Sequence, residues 1–125
     1  MAGTLPLSLV VITRDAAKDL AECLASGAFA SEIVVVDAGS RDDTVEIARR
    51  SGARVIVEPW RGFGPQKRFA VGAAAHDWVM CVDADERVTP ALARTIEALF
   101  AAGTPAAPAY AVARRHRFLG RWLSH

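Results

Sequence analysis

The sequence contains only two cysteines and no long hydrophobic run among its 125 residues. Cys23 falls in a segment with helical spacing of apolar residues and Cys81 in an apolar run of strand length, so we expect two small core residues rather than a disulfide. No run approaches the roughly 20 apolar residues that a membrane span requires, and the amino terminus lacks the apolar stretch of a signal peptide. We therefore expect a soluble protein of the reducing cytoplasm.

A strong net charge is also missing, since the formal charge is +1. This balance gives no global attraction to nucleic acid, and we expect no nucleic-acid partner. The charges are nevertheless uneven, because no acid follows Glu97 while the carboxyl end carries several arginines. That basic end, together with the aromatic segment 118–123, suits phosphates or peripheral contact with the anionic inner membrane, with simple exposure to solvent as the commonest alternative.

Apolar residues make up 52% of the chain, enough for one modest core, so we predict a single domain over residues 1–125. Segments of strand and helix character alternate along it. Strands are predicted at residues 7–13, 33–37, 54–58 and 78–82 with a fifth from Tyr110, and helices after Asp15, after Ser40, over 66–75 and after Thr89. This alternation predicts an α/β fold with a mostly parallel sheet and helices on both faces.

Two local patterns mark boundaries between these elements. Ser40 and Asp43 have the spacing of a capping box, which predicts that the second helix begins there. Residues 59–65 are rich in glycine and proline, which predicts a loop before the third helix.

The most informative segment is the apolar run at residues 79–82, which ends abruptly in Asp83, Asp85 and Glu86. Carboxylates at positions i and i+2 just past a strand can share one divalent ion. The spacing alone is weak evidence, because roughly one chain in three of this length contains it by chance. A second apolar run also ends in an acid, Asp37, and open α/β sheets bind ligands at the carboxyl ends of their strands. The two runs therefore predict one ligand cleft.

Four ordered motifs resemble the inverting family-two glycosyltransferases of the GT-A fold. They are VITRD at residues 11–15, VVDAGSRDDT at 35–44, GFGPQK at 62–67 and VDADER at 82–87. Within that family, the stretch 60–67 is most similar to bacterial enzymes that add a sugar to the lipopolysaccharide inner core. The resemblance covers about residues 7–125. Such enzymes usually continue well past this point, so the resemblance implies a Rossmann-like chain truncated at its carboxyl end, with the acceptor half missing.

The resemblance implies a nucleotide site at the ends of the first two strands. Thr13, Asp15 and Asp37 would frame the base and the ribose, because a carboxylate accepts hydrogen bonds from a uracil N–H and from ribose hydroxyls. Ser40 and Asp42 would line the same cleft, with helix capping as the alternative role for each. The implied donor is a nucleotide-diphosphate sugar, and UDP-glucose is favoured.

The resemblance also implies a metal-dependent catalytic centre. Asp85 would bind Mg²⁺ or Mn²⁺ directly, while Asp83 would contact the ribose or the donor sugar and reach the ion through water. Lys67 would reach the diphosphate as a point charge. Glu86 is the weaker metal candidate, with an ion pair to Arg87 as its alternative.

Other polar and aromatic residues have weaker implied roles. Trp60 and Phe63 would shape the mouth of the cleft, although aromatic residues are more often part of a core. His76 and His116 have no partner at metal-ligand spacing, so we expect both to be surface or packing residues.

The implied mechanism is a single inverting displacement. A saccharide acceptor, free or lipid-linked and exemplified by the lipopolysaccharide core, attacks the anomeric carbon while the ion stabilises the departing nucleoside diphosphate. In the family, the base that takes the acceptor proton lies further along the chain, and here no acid follows Glu97. Ala38 stands where many relatives carry a second acid, which leaves open which nucleobase the donor carries.

Three alternatives differ in class. The chain could be a non-catalytic module that binds a nucleotide sugar without transferring it. A haloacid dehalogenase-like phosphatase also carries a motif similar to residues 82–85, but its nucleophile normally follows the first strand, whereas three predicted strands precede Asp83. A nucleotidyltransferase would need a glycine-rich loop after its first strand, and none lies between Thr13 and Leu20.

Overall fold

Strands and helices alternate through residues 5–101, the part of the chain that the computed structural model describes. The strands are β1 Leu5–Thr13, β2 Ala30–Asp37, β3 Arg54–Val57 and β4 Trp78–Asp83. The helices are α1 Ala17–Ser26, α2 Thr44–Arg50, α3 Phe63–Ala73 and α4 Pro90–Ala101. The strands are rich in valine and isoleucine, whose branched side chains favour the extended backbone.

All four described strands form one parallel sheet in the order β3-β2-β1-β4. The chain runs outward from β1 to β3 and then crosses to the other side of β1 to form β4. The register pairs Thr13 with Asp37 and Ile12 with Asp83, so the ends of three strands lie side by side. The direction of winding reverses between β1 and β4, which is where open α/β sheets bind ligands.

Helices cover both faces of this sheet, which confirms the predicted α/β fold. One face packs Leu9, Val11 and Met80 against buried residues of α1, α2 and α4. The other face packs Val34 and Cys81 with their neighbours against α3. Successive strand residues point to opposite faces, so continuous apolar runs supply both cores.

Two predicted boundaries were wrong. The capping box at Ser40 and Asp43 is not formed: α2 begins at Thr44, and its N-cap Asp43 makes no side-chain capping bond. The Ser40 hydroxyl instead donates to the buried Asp37 carboxylate. A hydrogen bond to a charged carboxylate is stronger than the neutral bond that Ser40 would make as a helix cap. Helix α3 begins at Phe63, inside the segment predicted to be a loop. Gly62 permits this start because it adopts φ 102°, which favours glycine. Pro65 is tolerated because it falls in the first turn, where its missing N–H would have no partner within the helix.

Among the remaining predictions, one is confirmed and others concern residues outside the described part of the chain. Cys23 and Cys81 are buried and are not joined by a disulfide, as expected. None of the helices within residues 5–101 has the length and apolar character to cross a membrane. The fifth strand from Tyr110, the segment 118–123 and His116 lie outside the described residues, so the single domain over 1–125 stays a prediction.

The edge of the sheet at the amino ends of the strands is held together by Glu32. Its carboxylate accepts hydrogen bonds from the Ser8 hydroxyl (2.7 Å) and the Ala75 N–H (2.8 Å), and it pairs with Arg54 at 3.0 Å. His76 lies at the same edge, with Nδ1 3.0 Å from Ser8 Oγ, which is the packing role expected of it. Burial by itself raises the pKa of Glu32, but the bonds from Ala75, Ser8 and Arg54 outweigh burial and hold that pKa below 4.5.

Acid is expected to remove the stabilisation that Glu32 provides. A carboxylate whose pKa is lower in the folded state contributes stability above its unfolded pKa, and that stability is lost as the pH falls through the folded pKa. At pH 7, Glu32→Gln should therefore lower the free energy of unfolding by about 1–2 kcal/mol. The gap between wild type and variant should shrink toward pH 3. Urea unfolding at pH 7, 4 and 3 measures it, with the exposed Glu46→Gln as control; a gap independent of pH would contradict the role assigned to Glu32.

Candidate functional site

A cleft of about 490 Å³ opens at the carboxyl ends of β1 and β4, where the winding of the sheet reverses. We call it the acidic cleft. Its charged lining residues are Asp15, Asp19, Asp83, Asp85, Arg14 and Lys67. They come from three different segments: the start of α1 with the loop before it, α3, and the end of β4 with the turn after it. The structure thus brings the predicted Asp15, Lys67, Asp83 and Asp85 to one site. It adds Arg14 and Asp19, which were not predicted from the sequence.

The charge balance of the acidic cleft restricts what can bind there. Four carboxylates face two cationic side chains, which leaves an excess of two negative charges. A diphosphate entering alone would be repelled by this excess, whereas a diphosphate accompanied by a divalent cation would not.

The turn after β4 presents Asp85 to the cleft. The Glu86 N–H donates to the Asp83 carbonyl oxygen at 2.9 Å, and the Asp83 N–H donates to Glu86 Oε1 at 3.0 Å. These two reciprocal bonds close the turn around Ala84 and Asp85. Glu86, the weaker metal candidate, therefore uses its carboxylate to hold the turn, and Arg87 pairs with Glu22 of α1.

Helix α1 supports this turn from below through Cys23. Its thiol lies 3.5 Å from the Asp83 carbonyl oxygen, to which it donates. Burial, and to a smaller extent the nearby carboxylates of Glu86, Asp83, Asp85 and Asp19, together raise the pKa of Cys23 to about 12. The thiol is consequently protonated at neutral pH, which fits a packing role and not that of a nucleophile or metal ligand.

The carboxylates suit an ion that is shared with a substrate. Within residues 5–101, no group of three or more His, Cys, Asp or Glu side chains is arranged to hold a metal ion. Asp83 and Asp85 both line the acidic cleft. Mg²⁺ typically takes one or two protein carboxylates, with water and substrate phosphates as its remaining ligands. The residues present therefore fit Mg²⁺ or Mn²⁺ bound together with a diphosphate.

The predicted nucleotide residues converge beside the cleft, where Asp37 forms the centre of a hydrogen-bond network. The Asp37 side chain is buried, and its Oδ1 accepts from the hydroxyls of Thr13 (2.7 Å) and Ser40 (2.6 Å). Its Oδ2 accepts from the N–H groups of Gly39 (3.0 Å) and Ser40 (2.7 Å). Burial alone would raise the pKa of Asp37, but these four bonds outweigh it and lower the pKa. The carboxylate is therefore charged and fully engaged within the protein.

The loop after β1 is locked to the loop after β2. The Asp15 N–H donates to Ser40 Oγ at 2.7 Å, and the Arg41 N–H donates back to Asp15 Oδ1 at 2.7 Å. Asp15 adopts φ 51°, a left-handed conformation that aspartate tolerates better than most residues do. Reciprocal bonds across the two loops hold Asp15 in this conformation.

Asp42 and Thr44 cap helix α1 from another part of the chain. Helix α1 has no side-chain cap of its own, because its N-cap is Ala16. The Ala16 N–H donates to Thr44 Oγ1 at 2.8 Å and the Ala17 N–H to Asp42 Oδ2 at 3.2 Å. The Thr44 hydroxyl also donates to Asp42 and is the largest cause of the lowered pKa of Asp42. Helix capping, the alternative role for Asp42, is therefore observed; Thr44 was missed because its partner lies 28 positions away.

A second cavity of about 370 Å³ adjoins the acidic cleft and is lined by Ile12, Thr13, Arg14, Trp60 and Phe63. We call it the aromatic cavity. Trp60 and Phe63 meet edge to face with ring centroids 4.9 Å apart, and their side chains are 44% and 72% exposed. Exposed aromatic rings beside a cavity suit a flat or ring-shaped ligand.

The loop that carries Trp60 is braced by Gln66 of α3. This side chain is fully buried, and it accepts from the Arg61 N–H and donates to the Glu58 carbonyl oxygen, both at 3.0 Å. The next residue, Lys67, lines the acidic cleft. The same turn of α3 therefore fixes the loop of the aromatic cavity through Gln66 and presents Lys67 to the acidic cleft.

Comparison with known proteins shows the family to which this chain is related. Residues 8–123 match the model of glycosyl transferase family 2. The chain is 36% identical to the lipopolysaccharide core biosynthesis glycosyltransferase LpsC of Rhizobium meliloti, over 96% of this chain and 46% of LpsC. It is 42% identical to an uncharacterized glycosyltransferase of Rickettsia felis, over 76% of this chain and 34% of that protein.

Solved structures show the same fold. TarS of S. aureus superposes with a TM-score of 0.62 at 26% identity, covering 77% of this chain and 32% of that one. The glucosyl-3-phosphoglycerate synthase of Mycobacterium tuberculosis, in complex with Mn²⁺, UDP-glucose and phosphoglyceric acid, superposes with a TM-score of 0.57 at 25% identity, covering 66% of this chain and 35% of that one. The chain spans about a third to a half of the length of the curated relatives cited here.

Proposed function

The chain belongs to glycosyl transferase family 2, and from this membership we propose that its cleft binds a nucleotide-diphosphate sugar whose sugar is transferred to a saccharide acceptor. The observation that carries the proposal is the convergence of Lys67, Asp83 and Asp85 on one cleft at the point where the sheet reverses its winding. Such a cleft offers cationic and carboxylate groups together, as a metal-accompanied diphosphate requires.

The donor we propose is UDP-glucose. The Mycobacterium tuberculosis synthase, whose fold this chain shares, was solved with UDP-glucose and Mn²⁺. The acceptor we propose is a saccharide such as the lipopolysaccharide core, because LpsC, named for lipopolysaccharide core biosynthesis, is a relative over nearly the whole of this chain.

Each charged residue of the acidic cleft has a proposed role. Asp85, exposed on the turn after β4, would bind the ion directly, and Asp83 would contact the donor sugar or ribose and the ion through water. Lys67 would bind the diphosphate as a point charge. A bound Mg²⁺ or Mn²⁺ would supply positive charge that stabilises the diphosphate as it leaves.

We assign the nucleoside end to the neighbouring loops. Thr13 lines the aromatic cavity directly. Asp15, Asp37, Ser40 and Asp42 would frame the base and ribose, since their hydrogen bonds join the loop after β2 to Thr13 and to the loop after β1, which line that cavity. The proposed nucleotide therefore lies across both cavities, with its phosphates toward Lys67.

Calorimetric titration of the full chain tests this proposal. UDP, GDP and glucose 1-phosphate would each be titrated with and without Mn²⁺. We expect UDP to bind in the presence of Mn²⁺ and at least about tenfold more weakly without it, because the acidic cleft carries excess negative charge. UDP affinity that does not respond to Mn²⁺ would contradict the proposed site. Release of glucose from UDP-glucose to an acceptor is assayed separately, since binding without transfer would indicate a binding module.

A further inference from the structure

Arg14 lies at the junction of the two cavities. It directly follows β1, is exposed to solvent, and lines both the acidic cleft and the aromatic cavity. Ile12 and Phe63 also line both, but Arg14 alone among these three carries a charge. It is also the only charged residue among those that line the aromatic cavity within the described part of the chain.

The backbone around Arg14 is fixed on both sides. The Thr13 carbonyl oxygen accepts from the Ala38 N–H at 2.9 Å, and the Thr13 hydroxyl donates to Asp37. On the other side, the Asp15 amide and carboxylate are both bound by the loop after β2. A side chain anchored between two fixed residues starts from a defined position, which lowers the entropy cost of binding a ligand.

The guanidinium group itself is not engaged by the protein. Arg54, Arg61 and Arg87 each pair with a glutamate. By contrast, no hydrogen bond or ion pair within residues 5–101 holds the side chain of Arg14. Its five N–H donors are thus available to a ligand that enters either cavity.

From this placement we infer that Arg14 binds the phosphate that carries the nucleoside, at the boundary between the aromatic cavity and the acidic cleft. This inference rests on the proposed function and deepens it. A nucleoside diphosphate joins a flat base to two phosphates, and the two cavities offer aromatic rings on one side and metal-binding carboxylates on the other. The phosphate next to the nucleoside then falls at the junction, where a guanidinium can bind two phosphate oxygens at once.

The inference separates the role of Arg14 from that of Lys67. Lys67 lines the acidic cleft but not the aromatic cavity within the described residues, so it faces the phosphate nearer the ion. Removing Arg14 should weaken any ligand that has the first phosphate, whether or not a second one follows. Removing Lys67 should weaken chiefly the ligand that has both.

The experiment compares UDP, UMP and uridine on the full chain with Mn²⁺ present. In Arg14→Gln we expect UDP and UMP affinities to fall by the same factor, about tenfold, because both have the first phosphate. Uridine affinity, followed by NMR titration, should not change. Arg14→Lys should recover part of the loss, since an ammonium keeps the charge but lacks the two-pronged geometry.

Arg49→Gln removes the same charge from an exposed position in the last turn of α2 and should leave all three affinities unchanged. An Arg14→Gln variant that loses UDP affinity but keeps UMP affinity, or that weakens uridine equally, would overturn the inference while leaving the proposed function standing. A wild-type chain that does not bind UDP with Mn²⁺ would overturn both.

Discussion

Replacing Asp85 by asparagine is expected to abolish most of the Mn²⁺-dependent binding of UDP. Asp85 is exposed on the turn after β4 and lines the acidic cleft, where the loss of one carboxylate removes a direct partner of the ion. At this partly solvated position, the missing charge is worth about 3 kcal/mol, or roughly a 100-fold loss of affinity. Calorimetric titration of UDP with Mn²⁺ measures the change. Because the side chain is exposed, the free energy of unfolding should stay the same.

A matched control for this prediction lies at the opposite end of the same strand. Asp77 directly precedes β4 and is exposed, so Asp77→Asn removes an equal charge far from the cleft. We expect its UDP affinity to equal that of the wild type. Should Asp85→Asn bind UDP with an unchanged response to Mn²⁺, the carboxylates of this turn are not the metal ligands and the mechanism proposed here is wrong.

Replacing Asp37 by alanine is expected to have the largest effect on stability. Its buried carboxylate accepts four hydrogen bonds, and alanine would leave the Thr13 hydroxyl and the donors of the following loop without that acceptor. Unmet hydrogen bonds to a charged, buried group predict a loss of about 4 kcal/mol in the free energy of unfolding. Urea unfolding of the full chain measures it.

Asparagine at position 37 provides the finer comparison. It keeps the size of the side chain and one acceptor oxygen, but its NH₂ group would face donors that now bind the other carboxylate oxygen. We therefore expect roughly half of the loss in the free energy of unfolding that alanine causes. The variant also separates two roles for Asp37. If Asp37→Asn keeps the stability of the wild type and still loses UDP affinity, the carboxylate acts on the nucleotide and not on the loops.

Much of the fold could be predicted from the sequence, because strand and helix periodicities are local properties. The β4 run ends in Asp83 and Asp85 within one short segment, so their place at a strand end needed no tertiary information. The ordered motifs likewise placed Asp37 at the carboxyl end of a strand and Lys67 in the third helix. Helix boundaries were harder, since the start of α3 depends on the backbone angle of Gly62, which the residue type permits but does not require.

The sequence by itself determined an alternating α/β chain of family 2 type, with acids at the ends of two strands. Only the tertiary structure decided what those polar groups contact. Ser40 faces Asp37 instead of capping α2, Thr44 caps α1, and Arg14 joins two cavities. The reason is physical: Thr44 reaches α1 because β2 lies beside β1, and the acidic cleft forms beside Arg14 because β4 lies on the other side of β1. That strand order arises from long-range packing rather than from any local segment.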